Sequence, residues 1–496
     1  MTKRRDFLKG GLLGAGMTMG LTDVFAKTGP KTEAGDFPSE TFDVVVVGAG
    51  MAGMCAALEA AEKGAKVVLL EKRPRPDGTT VYSSGWIAAV GSELQKHHPE
   101  DNVELFTESM MKVSHYKTKR DIIETYAKES ADGVNWLVSK GVPFKLWENL
   151  PAPELSRCVI AQGDGVTGGS VLIRHLLKGL NEKNVPIRFN TNAIELITTP
   201  TLEVEGVSCL TPEGRKNYLA KGGVILTTGG YGGNFAMLAT FAGTWAYNLI
   251  LRASPWNTGE NITMGMQVRA KLVHLDQFYA GPITPTGHAN PSPLMHAGYG
   301  IQVNSAGKRF LPEEWLQVPK AKGIVQMTPD NRSYMLIGSD ADDNDKILTK
   351  TLKRFASVGY EVPKGNTIAE VAKAAGIPAD ALEATVKEFN AAVKAGKAKE
   401  LDPPYGFATP HALETGPFYL VPGAGGIATT MGGPQINKHA QVVNLEDEPI
   451  PGLYAAGAAA GGVWVDDDIG GNQLGGGLVF GRIAARHALA RAKARG

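Results

Sequence analysis

Residues 42–47, Phe-Asp-Val-Val-Val-Val, run directly into Gly48-Ala-Gly50-Met-Ala-Gly53. A four-valine run suits a strand buried on both faces, as in a parallel sheet covered by helices. Gly48 permits a tight turn, Gly50 lets backbone approach a pyrophosphate, and Gly53 lets the following helix pack closely on the strand. That helix presents unpaired N–H groups and the positive end of its dipole to phosphate. A second apolar strand, Lys66-Val-Val-Leu-Leu, ends at Glu71. Glu71 lies 71 − 53 = 18 residues past the last glycine, near the roughly 20 expected of an acid that binds a ribose hydroxyl. A glycine triplet alone is a weak signal. With strand, helix, strand and acid in register it specifies a dinucleotide site.

The 496 residues favour more than one domain. Hydrophobic and charged fractions of 43% and 20% are those of an ordinary soluble protein, and a net charge of +1 gives no reason to expect a nucleic-acid or anionic-membrane partner. Glycine is abundant, at 61 residues, and much of the excess sits at 222–233, 423–433 and 457–477, which suggests backbone passing close to a bulky ligand. Cys55, Cys158 and Cys209 are far apart and form no CxxC pair, which argues against zinc, an iron–sulfur cluster or attached haem. His274, His288 and His296 have no metal-ligand spacing either, so no metal site is expected. Any one-electron centre must then belong to a separate protein.

The N-terminus reads as an export signal over 1–26. Lys3-Arg4-Arg5 precedes a short Gly/Leu/Met-rich stretch that is too short to span a bilayer, and Val24-Phe25-Ala26 supplies small residues for cleavage. The pattern resembles a twin-arginine signal, which implies a periplasmic or otherwise extracytoplasmic protein with no integral membrane segment after cleavage. Residues 27–40 are polar, with Pro and Gly, and read as a linker.

Beyond the opening βαβ unit, 101–140 reads as helical, and Val185–Ile197 and Gly206–Leu210 as strands of a small appended sheet. Gly223-Val-Ile-Leu-Thr-Thr-Gly-Gly230 reads as a further parallel strand ending in a glycine turn. Strands at Ile301–Val303 and Ser333–Ile337 precede a pair of helices. Thr367 and Glu370 form a capping box, Pro378 suits the first turn of the second helix, and Leu382, Val386, Phe389 and Val393 lie at helical spacing. Gly452–Gly457 and Leu478–Ala490 return to the first style as strand and helix.

Gly48–Gly53, Asp77-Gly78-Thr79-Thr80, Thr227–Gly230, Asn304–Arg309, the helical pair at 366–395, Gly452–Gly457 and Ile469-Gly-Gly-Asn472 together resemble one family. Their order and spacing are similar to the flavoproteins that comprise soluble fumarate reductases, succinate dehydrogenase flavoprotein subunits and 3-ketosteroid dehydrogenases. The resemblance covers nearly all of 41–490. It implies an α/β fold: a Rossmann-like FAD domain of glutathione-reductase type, in segments 41–271 and 406–496, interrupted by an α+β capping domain at 272–405. It also implies FAD. The ADP half would lie on Gly48, Ala49, Gly50, Met51, Ala52 and Gly53, with Glu71 and Lys72 at the ribose. Thr79, Thr80, Ser84 and Gly85 would line the flavin side, and Ala193, Thr228 and Gly229 the adenine half. Gly457, Ala458, Asn472, Gln473 and Leu474 would hold the ring. The segment Thr79–Gly85 lacks the flavin-linking histidine of the succinate dehydrogenase branch, so the FAD is expected to be non-covalent.

The substrate positions depart from the family. Its carboxylate-clamping arginine just before Gly-Gly-Asn is replaced by Asp468, which follows Asp466 and Asp467. Its histidine pair before Thr-Met-Gly-Gly is replaced by Ala428-Thr429. Its proton-delivering arginine or tyrosine aligns with Gln317, an amide that is no general acid near neutral pH. The tyrosine-proline-glycine loop of ketosteroid dehydrogenases is also missing.

Crowded carboxylates have raised pKa values, which makes Asp467 and Asp468 candidate donors. Tyr82 and Tyr279 are candidate acids, and Tyr419 flanks the same loops. Trp86, Trp256 and Trp464 are candidate walls for a flat substrate. Arg157 is placed either near the site or on the surface. The expectation is an FAD oxidoreductase that reduces, or forms, a C=C bond conjugated to a carbonyl or aromatic group in a small non-dicarboxylate substrate. That substrate is expected to be neutral or cationic, and electrons to pass through a cytochrome c or quinol-linked protein. Ketosteroid-type desaturation, fumarate reductase-like reduction of an unsaturated acid, and an electron-transfer subunit without a substrate are the alternatives.

Overall fold

The valine run forms the centre of a sheet. Strand β1 (Ser39–Val47) buries Val44–Val47 completely or nearly so and leads through Gly48–Gly50 into helix α1 (Met51–Glu62). The computed structural model describes residues 37–76, 78–96, 101–146, 157–163, 167–284, 298–341, 346–467 and 470–496. The export segment, most of the linker, Asp77, His288, His296, Asp468 and Ile469 fall outside the described residues.

After α1 come β2 (Val67–Leu70), α2 (Arg120–Ser139), β3 (Ile187–Arg188), β4 (Asn192–Thr198), β5 (Val204–Thr211) and β6 (Gly214–Leu226). The chain then builds a second body from β7 (Ile250–Leu251), β8 (Phe278–Ile283), β9 (Gly300–Asn304), α3 (Gln317–Met327), β10 (Ser333–Gly338), α4 (Ile368–Ala375), α5 (Ala379–Lys394) and β11 (Phe418–Thr430). It returns with β12 (Gln441–Val443), β13 (Pro449–Ala455) and α6 (Asn472–Arg495).

The first sheet runs β12-β13-β6-β1-β2-β3, with its inner strands parallel. Val44–Val47 align with Val67–Leu70 on one side and with Gly223–Leu226 on the other. Strands β4 and β5 are not a separate sheet, because β5 pairs antiparallel with β6 and so extends the main sheet. Helix α6 packs beside α1, and the two are tied by Arg482 Nε to Glu59 Oε2 at 2.8 Å, with both residues buried.

The second sheet is organised on β11. Its first half pairs with β10, and its second half with β8 and β7. A division at 272 and 405 would assign Phe418–Thr430 to the FAD domain. Its pairing places it in the second sheet, which spans 250 to 430, because a thirteen-residue strand with four partners cannot be separated from them. Helices α4 and α5 cover this sheet with Val371, Leu382, Val386 and Phe389. Val393 packs at the edge of that core. Thr367 Oγ1 accepts from Glu370 N at 3.1 Å, but the Glu370 carboxylate turns back to Asn366 N, one residue before the cap. Pro378 sits at the N-cap of α5, just before the first turn.

Candidate functional site

One large cleft lies between the two bodies, with about 1820 Å³ of atom-free space including its mouth. The β1–α1 turn forms its base. Gly48 has φ +106°, and a Cβ there would collide with the Thr227 carbonyl. A Cβ on Gly53 would collide with the Gly48 carbonyl, so glycine is needed at both places for the strand, turn and helix to close together. The N-cap residue of α1, Gly50, has no side chain of its own to cap the helix and faces the cleft. Gly48, Ala49, Gly50, Met51 and Ala52 line the cleft, whereas Gly53 stands behind them as a packing residue.

Glu71, only 7% exposed, accepts from Ala49 N at 2.8 Å and from Arg73 N at 2.9 Å. The sheet thereby fixes a carboxylate beside the glycine turn. Lys72 Nζ contacts Thr258 Oγ1 at 3.0 Å and Glu260 Oε1 at 2.6 Å. The Arg73 guanidinium stacks on Trp256 at 3.9 Å. Thr80 Oγ1 accepts from Met51 N at 3.1 Å, and Thr79 Oγ1 accepts from Asn257 Nδ2 at 2.7 Å. Thr79, Thr80, Ser84, Ala193, Thr228, Gly229, Gly457, Ala458, Gln473 and Leu474 all line the same wall. A glycine cradle, a helix N-terminus and a fixed acid in one cleft fit a dinucleotide.

Two residues expected at the ligand stand behind it. Gly85 backs onto Gly168, where any side chain would meet backbone. Asn472 is fully buried, with Tyr126 Oη at 3.1 Å, and secures the start of α6.

The other end of the cleft belongs to the second body. Tyr279 on β8, Gln317 at the start of α3, and Ala428 and Thr429 on β11 line it, with Tyr82 and Trp86 from the first body. Tyr279 Oη and Gln317 Oε1 are 3.2 Å apart. Tyr82 is 43% exposed at the mouth.

Of the aspartate run, the described Asp466 and Asp467 do not line the cleft. Asp467 is buried but lies off the cleft wall, and Asp468 is outside the described residues. Asp466 accepts from Lys117 Nζ at 2.5 Å and contacts His115 Nδ1 at 2.8 Å. Burial pulls its pKa upward, but the bonds to Lys117 and His115 outweigh that and leave it below the usual carboxylate value, which favours the ionised form. Trp464 packs into the core against Tyr126 rather than forming a wall, and Tyr419 lies off the cleft under Lys364. Arg157 is buried and forks onto Asp101 at 2.6 and 2.7 Å. His274 is half-buried, and burial lowers its pKa. Among the described residues no three His, Cys, Asp or Glu gather as a metal site, and no helix is long and apolar enough to cross a membrane.

Sequence reasoning missed Arg252. It follows β7 and lines the cleft with Tyr279, Gln317, Ala428 and Thr429. Its backbone N–H donates to Ile427 O at 2.8 Å, so the β7–β11 pairing sets it beside Ala428. Among the described residues its guanidinium makes no hydrogen bond or ion pair. Burial lowers its pKa, and the nearby Tyr279 works in the opposite direction. No motif marks Arg252, because only pairing across the second sheet brings it here.

Residues 43–474 match the model of a family described as FAD binding domain. The chain is 32% identical over 463 residues to a probable fumarate reductase, Ifc3, of Shewanella frigidimarina, covering 91% of this chain and 76% of that one. It is 31% identical to urocanate reductase of Eggerthella lenta, covering 91% and 75%. Among solved structures it resembles the open conformation of a flavocytochrome c3 fumarate reductase, with TM-score 0.77 and 31% identity over 92% of this chain and 79% of that one.

Proposed function

Because this chain belongs to the FAD-dependent family of fumarate reductases, succinate dehydrogenase flavoproteins and ketosteroid dehydrogenases, and is an oxidoreductase acting on CH–CH bonds, we propose that it reduces a C=C bond conjugated to a carbonyl or aromatic group in a non-dicarboxylate substrate. Bound FAD supplies the two electrons as a hydride. The chain must bind the substrate over the flavin, exclude water and deliver one proton.

The observation that carries this reading is the composition of the substrate end, where a tyrosine hydroxyl is held against an amide beside two small residues. The Tyr279 phenol is the proton donor. Gln317 fixes its position without competing as an acid, and reorienting the amide would free the phenolic hydrogen for the substrate. Ala428 and Thr429 leave room where the resemblance implied clamping histidines. The glycine cradle and Glu71 hold the cofactor non-covalently. Electrons arrive from a separate cytochrome c or quinol-linked carrier, and the Arg4-Arg5 segment directs export.

Anaerobic oxidation of a reduced viologen dye by the FAD-loaded enzyme, with a panel of enones, steroids, mono-enoates and dicarboxylates, tests the reading. Turnover confined to dicarboxylates would sink it.

A further inference from the structure

The two arginines buried among the described residues, and Arg309 with its covered side chain, have carboxylate partners. Arg157 pairs with Asp101, Arg309 with Glu313 at 2.7 Å, and Arg482 with Glu59. Arg252 has none among the described residues, yet it lines the large cleft between the two bodies. A partly buried guanidinium that faces a cleft without a carboxylate partner is available to a bound anion. Arginine stays charged at neutral pH and matches a planar carboxylate with two parallel N–H donors.

The position is built rather than incidental. Leu251 pairs with Ile427, and the Arg252 N–H bonds Ile427 O, so the guanidinium starts from a fixed backbone next to Ala428. Ala428 is small and leaves space for a side chain from the neighbouring strand. The cofactor's adenosine end is marked elsewhere, by Glu71 and the Arg73–Trp256 stack. Arg252 shares its part of the wall with Tyr279 and Gln317 instead.

We propose that Arg252 is the anion receptor of the substrate pocket and that the substrate carries a single carboxylate, held by Arg252 on the side of Tyr279 and Gln317. This rests on reading the cleft as the site of C=C reduction, and it replaces the neutral or cationic substrate expected from the sequence. Among the described residues lining the cleft the other arginine, Arg73, is stacked on Trp256.

The test uses the FAD-loaded enzyme and follows flavin absorbance during titration with acid and methyl ester pairs, crotonate and cinnamate among them, and with fumarate. The wild type is expected to bind at least one acid about 30-fold or more tighter than its ester. Arg252→Gln abolishes that preference, and Arg252→Lys retains part of it. FAD content and unfolding temperature stay at wild-type values. Equal binding of acid and ester, no perturbation by any acid, tighter binding of fumarate than of every mono-acid, or loss of FAD in Arg252→Gln would each overturn the proposal. The two readings fail separately. Arg252-dependent acid binding without reduction of any C=C bond removes the proposed chemistry and keeps the receptor. Reduction of enones and esters without acid binding does the reverse.

Discussion

The Tyr279 hydroxyl donates to Gln317 Oε1 across 3.2 Å and joins strand β8 to the first turn of α3 at the substrate end of the cleft. Gln317 occupies the position where relatives are implied to carry the proton-delivering group. The proposed proton donor is therefore one hydrogen bond away from the aligned position.

Tyr279→Phe should lower kcat by about 100-fold or more, since positioned proton transfer contributes on that scale. FAD content should be unchanged. Stopped-flow oxidation of the reduced flavin by substrate isolates the step, and a decrease smaller than about threefold would remove Tyr279 as donor.

Gly53→Ala forces a methyl group into the Gly48 carbonyl, and Gly48→Ala forces one into the Thr227 carbonyl at a positive φ. Either variant should purify with little or no FAD, with stability lowered by about 2 kcal/mol or more. Flavin absorbance per protein and urea denaturation measure both effects. Full flavin content in both variants would show that the turn is not the cradle.

Lys320 is fully buried, with its ammonium donating to the Glu313 carbonyl at 2.6 Å. Burial lowers its pKa from 10.5 to about 7, against the opposing pull of Glu313 and Glu314. Between those values the unfolded chain holds a proton that the folded chain has released. Stability therefore rises with pH across this window, and the full cost of the buried charge is present below about pH 7. Lys320→Met should remove up to roughly 2 kcal/mol of the gain between pH 7 and 9. Urea midpoints at the two pH values report it, and an unchanged slope in the variant would refute it.

Arg482→Met leaves Glu59 buried between α1 and α6, with Lys63 at 3.6 Å and Arg486 at 3.7 Å as remaining cations. The expected loss is about 3 kcal/mol. Replacing both Arg482 and Glu59 with leucine should recover much of it, because no buried charge is then left alone. A single variant as stable as the double would contradict this account.

The cofactor end was legible because its signals are local. A valine run, three glycines and an acid 18 residues on lie within one βαβ unit, and each residue type is fixed by backbone sterics or hydrogen bonding. The substrate end was less legible because it is assembled across long separations. Tyr279 and Gln317 were named singly, but their contact depends on how α3 packs on β8. Arg252 reaches the cleft through pairing with residues 426–427, which no spacing rule anticipates. The aspartates were harder to place, because their run gives no sign of partners distant in sequence: Asp466 turns to Lys117 and His115. The domain boundary at 405 missed β11, whose partner strands all lie before that boundary in sequence.

Strand β11 carries Ala428 and Thr429, and its sheet also positions Arg252 and Tyr279. The glycines that fix the cofactor all sit on the other body. Recognition and redox chemistry are therefore separately mutable. The first sheet has no room for a side chain at Gly48 or Gly53, while Arg252, Ala428 and Thr429 on the second stand apart from that turn. A lineage with this architecture can acquire new substrates by rewriting one sheet's edge and inheriting the flavin unchanged.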